Sequence, residues 1–260
     1  MNYTIVERGD TFSSTIAVEL KELLTQIQFK LDDNNPEIIF TIGGDGTMLK
    51  AVHQYIDQID QVVFVGVHTG KLGFYTDFIH NELDVLLTCL KENVYSDIKF
   101  PLLEANVCQK EQCLEFYALN EITLINAYKT QHLDIFINDL LFESFQGTGI
   151  CVATPSGSSA YNKSLGGALV HPNIPSFQLT EIGSINNNVY RTISSSMIFP
   201  KDDVLKIRSR DFDEVTITVD HTHQSLTEYD EIICKLSEKQ VTLRQYRDND
   251  FWKRVKKSFL

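Results

Sequence analysis

Residues 40–50 read FTIGGDGTMLK, an apolar run that ends in three glycines set around one acid and passes into a helical pattern. A strand that ends in glycines just before a helix brings unpaired backbone N–H groups together with the positive end of a helix dipole, which is a cradle for phosphate. Glycine lets the backbone approach phosphate oxygens that a Cβ would hold away. The spacing matches neither the P-loop nor the G-x-G-x-x-G dinucleotide pattern, so Asp45 needs its own explanation. A carboxylate beside phosphates is repelled by them unless a metal or a proton transfer makes it useful. Otherwise Asp45 turns the chain and caps the next helix. The residues alone leave both readings open.

Four further stretches carry groups that could act with it. GVHTGKLGFY at 66–75 is a second glycine-spaced turn after a buried strand, and Phe74 and Tyr75 could offer a face to a base or ribose, or belong to the core. In ALNEITL at 118–124, Asn120 and Glu121 interrupt an apolar run. Adjacent strand residues face opposite ways, so at most one points inward unless the strand ends there, and a bulge or turn is the other reading. TPSGSSAYNKSLGGALVHP at 154–172 is long enough to wrap a ligand, with donors and acceptors on Ser158, Tyr161 and Asn162 but no nucleophile-elbow spacing. DHTH at 220–223 puts His221 and His223 at alternate strand positions, with no third ligand in view for a metal site.

The elements that must position these groups change character along the chain. The first hundred residues alternate: strands at 3–6, 36–42 and 61–67, helices at 14–29, 46–55 and, behind an Asn cap, 81–92. That order predicts a doubly wound α/β domain over 1–100. After Pro101 the pattern is of closely spaced strands, at 116–125, 132–145, 149–155, 195–200, 203–209, 214–221, 231–237 and 240–246, interrupted at 158–190 by a short helix or long loop. The fold class expected is therefore α/β plus β, with a mostly antiparallel β domain over 101–246. The basic, aromatic tail at 247–260 would either dock on its own protein or lie on a membrane surface.

With 260 residues, 43% of them hydrophobic, the chain can build a large core. A net charge of −12 argues against broad nucleic-acid binding and against an anionic membrane. The N-terminus lacks a signal-peptide core and no run reaches the length of a membrane span, so a cytoplasmic protein is expected. Five scattered cysteines with no C-x-x-C pair read as small buried hydrophobes rather than as a disulfide framework.

TIGGDGT, GVHTGKLGFY, ALNEITL, ATPSGSSAYNKSLGG, QLTEIGSINN and VDH occur in an order that resembles the NAD kinases, in the short form of Gram-positive bacteria, over nearly the whole chain. GGDG alone is shared with phosphofructokinases and diacylglycerol-type lipid kinases; the combination is specific. The resemblance implies a substrate cleft between an α/β and a β domain, a homotetramer or homodimer, and ATP (or polyphosphate) and NAD as substrates with a divalent cation, Mg²⁺, arriving with ATP. It makes Asp45 the general base toward the 2′-hydroxyl of the adenosine ribose, with Gly44 and Gly46 flanking the diphosphate and Phe74, beside Tyr75, against the adenine. Asn120 and Glu121 would bind ribose hydroxyls, Ser156, Ser158, Ala160 and Tyr161 would wall the NAD pocket, and His221 would sit near it. The chain departs from the pattern at Gln146-Gly147-Thr148-Gly149, where relatives read R-G-D-G at the nicotinamide end, and Thr148 can hydrogen-bond a carboxamide only with a shorter, uncharged group. That departure keeps a non-catalytic dinucleotide sensor as an alternative, beside a lipid kinase sharing GGDGT.

Overall fold

A computed structural model describes residues 1–260 apart from Leu72, Glu111, Arg210, Asp211, Glu228, Asp248 and Asn249. Leu72, in the second glycine turn, and Asp248 and Asn249, at the head of the basic tail, thus lie outside the described residues. The chain divides into two compact units, Met1–Phe100 with Lys239–Leu260, and Pro101–Glu238.

The first unit begins with β1 (Asn2–Glu7), α1 (Thr11–Gln26), β2 (Lys30–Leu31), β3 (Ile38–Gly43), α2 (Asp45–Gln54), β4 (Val63–His68), β5 (Phe78–Ile79) and α3 (Leu83–Glu92). Strands β4, β3, β1 and β2 pair in parallel in that order. Ile38, Phe40 and Ile42 of β3 share one buried cluster with Leu20 and Leu24 of α1 and Leu86 and Leu90 of α3. By strand alternation Ile39 and Thr41 face the other side, where α2 packs. Burial of each such large apolar side chain is worth about 1.5–3 kcal/mol. Helix α1 starts at Asp10, whose carboxylate accepts the Ser13 N–H at 2.9 Å. The Asn cap expected for α3 is not formed: Asn81 lies in a 3-10 turn, and Glu82 reaches back to accept the Ile79 N–H at 3.0 Å.

The second unit is antiparallel throughout its described pairs. It is built from β6 (Ser96–Gln109), β7 (Gln112–Ala118), β8 (Glu121–Ile125), β9 (Gln131–Ile137), β10 (Leu140–Gly147), β11 (Gly149–Ala153), α4 (Tyr161–Ser164), β12 (Ser176–Ile182), β13 (Met197–Pro200), β14 (Leu205–Arg208), β15 (Thr216–Val219), β16 (Thr222–Ser225) and β17 (Glu231–Gln245). One sheet runs β13-β12-β11-β8-β15-β16, and β10, β9, β14 and β17 pair in that order in another. Their inward faces share a core that includes Ile122, Phe145, Val152, Phe177 and Ile207.

Several sequence expectations are revised. The run at 132–145 is a hairpin, because Asn138 and Asp139 both adopt positive φ (49° and 66°) and turn the chain between β9 and β10. The runs at 231–237 and 240–246 are one strand, β17, and its residue Leu243 pairs with Phe64 of β4, so 239–246 cluster with the first unit rather than the second. Within 158–190 lies β12, whose buried residues carry polar Gln178 and Thr180 and hide the strand period. Cys108 and Cys113 are not isolated hydrophobes: they face each other across the β6–β7 hairpin, Cα atoms 4.1 Å apart, and form a disulfide. His221 stands in the β15–β16 turn rather than in a strand, so it and His223 do not share one strand face.

The tail forms α5 (Phe251–Phe259), capped by Asp250 through the Lys253 N–H. Arg254 is buried and donates to the Thr76 carbonyl at 2.8 Å, to Asp77 Oδ1 at 3.0 Å and to the Gly73 carbonyl. No helix among the described residues is long and apolar enough to cross a membrane.

Candidate active site

In the first unit, β3 delivers the glycines and Asp45 is the first residue of α2, with Gly44 at the N-cap. The Asp45 carboxylate accepts the Phe74 N–H at 3.0 Å on Oδ2 and the Tyr75 N–H at 3.1 Å on Oδ1. The two glycine turns are thereby joined through one side chain. Gly73 is obligatory there, because a Cβ at that position would lie 2.4 Å from Asp45 Oδ1. Gly46 differs: a Cβ on it would meet nothing within 4 Å, so open space lies over the turn. Phe74 is half-buried and its ring centroid stands 6.3 Å from Phe251 and 6.1 Å from Phe259 of α5. Tyr75 is buried edge-on against Phe100, so what it offers Asp45 is its backbone N–H.

In the second unit the strand does end at the polar pair: β7 stops at Ala118 and β8 starts at Glu121. Asp220, in the turn after β15, accepts the N–H groups of Leu119 (2.9 Å), Asn120 (2.8 Å) and Glu121 (3.3 Å). That brace was missed in the sequence, although VDH was among the motifs; the signal was an acid in a turn at a strand end. Glu121 is buried, its Oε2 has no hydrogen-bond partner among the described residues, and burial together with the Asp220 charge pushes its carboxyl up to about 8. A buried carboxyl oxygen without a donor is the form of a group that waits for a ligand hydroxyl.

The serine-rich segment closes over the same place. Thr154 and Ser156 both donate to the Leu119 carbonyl, at 2.6 and 2.9 Å. Ser158 Oγ accepts the Val170 N–H at 3.0 Å and is buried, so it shapes the segment rather than facing out. Ala160 and Tyr161 follow at the start of α4, with the Tyr161 side chain exposed and its backbone N–H acting on Glu121. Asn162 is fully buried and holds Thr180 at 2.8 Å. His221 follows Asp220 in its turn. Thr148 is not brought to this cluster: β11 runs between them with Ala153 opposite Glu121 and Gly149 opposite Ile125, a span of about 16 Å at the usual strand rise. Thr148 instead bonds the Ile182 carbonyl through its N–H at 3.0 Å. Among the described residues no group of three or more His, Cys, Asp or Glu side chains could hold a metal.

Comparison with known proteins agrees with both halves. Residues 14–95 match the family described as ATP-NAD kinase N-terminal domain, and residues 119–243 match ATP-NAD kinase C-terminal domain. NAD kinase 1 of Bacillus subtilis is 39% identical over the full chain and 98% of its own length, and NAD kinase 1 of Listeria innocua is 42% identical over the full chain and 99% of its own. In fold, the chain is similar to yeast NADH kinase complexed with NADH (TM-score 0.84, 21% identity, 98% of this chain and 86% of that one). It is likewise similar to an NAD kinase from Archaeoglobus fulgidus in complex with ATP (TM-score 0.78, 18% identity, 98% and 99%). With family matches to both domains and relatives near 40% identity from end to end, the chain belongs to the NAD kinase family.

Proposed function

We propose that this NAD kinase transfers the γ-phosphoryl group of ATP to the 2′-hydroxyl of the adenosine ribose of NAD, with Asp45 as general base. The observation that carries this reading is the Asp45 carboxylate at the start of α2, oriented by two backbone N–H bonds from residues 74 and 75. Each carboxylate oxygen has a second lone pair, so the orienting bonds leave an acceptor for a hydroxyl proton. In the transfer step the ribose oxygen attacks the γ-phosphorus, the bond to the β-phosphate oxygen breaks, ADP leaves, and the hydroxyl proton passes to Asp45. A divalent cation, Mg²⁺, arriving on the ATP phosphates would neutralise charge on the transferring group.

In this reading the open space over Gly46, beside Gly44, takes diphosphate and Phe74 lies against the adenine. Asn120 and the unsatisfied Glu121 receive ribose hydroxyls, Ser156, Ser158, Ala160 and Tyr161 form the pocket wall with His221 close by, and Thr148 meets the nicotinamide end. The enzyme acts in the cytoplasm as a homotetramer or homodimer. The exposed apolar residues Leu140, Leu141 and Phe142 on edge strand β10 support self-association.

The test is NADP formation from NAD, ATP and Mg²⁺ by the purified protein, with polyphosphate as alternative donor and NADH as alternative acceptor. Product formation by wild type and its loss in Asp45→Asn support the reading. Thermal stabilisation by NAD without product would move the chain to the sensor alternative.

A further inference from the structure

His68 closes β4 beside the phosphate-binding turn, and its chemistry is fixed by its neighbours. Its Nδ1 accepts the Gly70 N–H at 2.7 Å. A neutral imidazole has one acceptor and one donor nitrogen, so the proton is on Nε2. A Cβ placed on Gly44 would lie 3.4 Å from that Nε2, which puts the donor against the N-cap of α2. Among the described residues Nε2 has no hydrogen-bond partner. Partial burial is the main influence holding the ring below the usual histidine range; the Asp45 carboxylate opposes it and Arg8 reinforces it. Arg8 also belongs to this turn, its Cβ 3.1 Å from where a Cβ on Gly43 would stand, and its guanidinium pairs with Asp10 at 3.3 Å. Lys50 Nζ donates to the Glu7 carbonyl at 3.3 Å.

We propose that His68 contacts substrate phosphate: its Nε2–H donates to a phosphate oxygen held at the Gly43–Gly46 turn, and as that anion arrives Nδ1 gives up the Gly70 N–H bond and takes a proton. This rests on the reading of the turn as a phosphate cradle. The physical argument is that a donor with no partner stands where the helix N-terminus already favours an anion, and that an anion there stabilises the imidazolium that burial and Arg8 disfavour. His68 would thus add a titratable positive charge only when substrate is present. The phosphate could belong to ATP or to the diphosphate of NAD, and the two are separated by measuring each.

The experiment is calorimetric titration of wild type, His68→Gln, His68→Ala and Gly46→Val with ATP–Mg²⁺ and with NAD, each at pH 6 and pH 8 in buffers of different ionisation enthalpy. Steady-state KM for each nucleotide and kcat are measured beside it. Wild type is expected to take up a proton on binding one nucleotide at pH 6 and to bind it more tightly there than at pH 8. His68→Gln, which keeps a donor but does not titrate, is expected to bind that nucleotide at pH 8 within about threefold of wild type and to lose the proton uptake; His68→Ala weakens its binding by roughly tenfold, the effect of one such bond. Proton uptake unchanged in His68→Gln, or Kd and KM unchanged in His68→Ala for both nucleotides, overturns the proposal. Gly46→Val keeps the two possible failures apart, because its side chain enters open space and should fold while obstructing the cradle. If Gly46→Val binds both nucleotides like wild type, the cradle reading itself fails. If it loses binding and His68→Ala does not, only the role of His68 fails.

Discussion

Arg254 of α5 and Asp77 of the loop before β5 form a buried ion pair, Nη2 to Oδ1 at 3.0 Å, with side chains 9% and 5% exposed. The same guanidinium holds the carbonyls of Gly73 and Thr76, and Asp77 Oδ2 accepts the Tyr246 N–H at 3.1 Å. The segment that gives its N–H groups to Asp45 is therefore fastened by the last helix.

Arg254→Ala leaves Asp77 buried without its cation, a change that costs about 3–5 kcal/mol. We expect Tm to fall by roughly 10 °C for a chain of this size. Activity should fall further than the unfolded fraction explains, because the 73–75 backbone loses its anchor. Arg254→Lys should recover only part, since an ammonium cannot span the fork of acceptors. Calorimetry and kcat at a temperature where both variants are folded decide the matter; full activity in folded Arg254→Ala would refute the coupling.

Asp45→Asn should lower kcat by about 10²–10⁴-fold while NAD still binds. Its amide can accept only on its one oxygen, so one of the Phe74 and Tyr75 N–H bonds is lost, and we expect about 1 kcal/mol less stability. Single-turnover rates together with denaturant unfolding separate the two effects.

Glu121 has a folded-state carboxyl pushed up to about 8, well above the ordinary carboxylate value near 4.5. The folded protein thus holds a proton that the unfolded chain releases. The stability this proton gives is complete below pH 4.5 and is lost as pH rises toward 8. Glu121→Gln should flatten that part of the Tm–pH profile. If the ionised carboxyl accepts ribose hydroxyls, KM for NAD should also fall between pH 7 and 9 in wild type and stay level in the variant. A wild-type profile with no slope in this window removes the assignment.

Glu143 of β10 and Glu181 of β12 offer a second such window. The Glu181 carboxyl acts on Glu143, with the Ile193 N–H opposing it, and Glu143 Oε1 and Oε2 and Glu181 Oε2 complete no hydrogen bond among the described residues, so a proton on Glu143 relieves the pair. Burial and the Glu181 charge push Glu143 up to about 7. Stability from this pair is complete below pH 4.5 and gone above pH 7. Glu143→Gln supplies a permanent donor, and we expect its Tm to exceed that of wild type at pH 8 and to match it at pH 5. Equal Tm values at both pH values would dismiss the proton on Glu143.

The Cys108–Cys113 disulfide closes a loop of only a few residues, so its contribution is at most about 2 kcal/mol. Dithiothreitol, or Cys113→Ser, should lower Tm by roughly 5 °C and leave kcat unchanged. A larger loss would mean that the hairpin is held by the bond rather than by its strand ladder.

The architecture was legible where burial sets the pattern. Apolar β3 and β4 and the stripe of α1 follow from periodicity, and the glycines of GGDG mark a turn by chemistry alone. What the sequence hid were features set by partners far along the chain. Asp220 is an ordinary turn acid until it meets three N–H groups about a hundred residues earlier, and Arg254 looks like one basic residue among five in the tail. Asn138-Asp139 gives a weak hairpin signal, because an amide and an acid inside an apolar run lack the glycine that usually marks a tight hairpin. A lone histidine such as His68 has no spacing to betray it; only the bond to Gly70 and the closeness of Gly44 give it a direction.

The first unit is interrupted in the chain, its opening hundred residues being completed only by 239–260. The Arg254–Gly73 bond joins positions 181 apart, so during synthesis the glycine turns emerge long before the helix that fastens them. A ribosome-bound chain that has not yet made residue 254 carries Asp45 and its glycines but lacks the brace on their partner loop. Orientation of Asp45 then waits on residue 254, and termination anywhere between residues 239 and 253 leaves every motif of the first unit with the 73–75 segment unfastened.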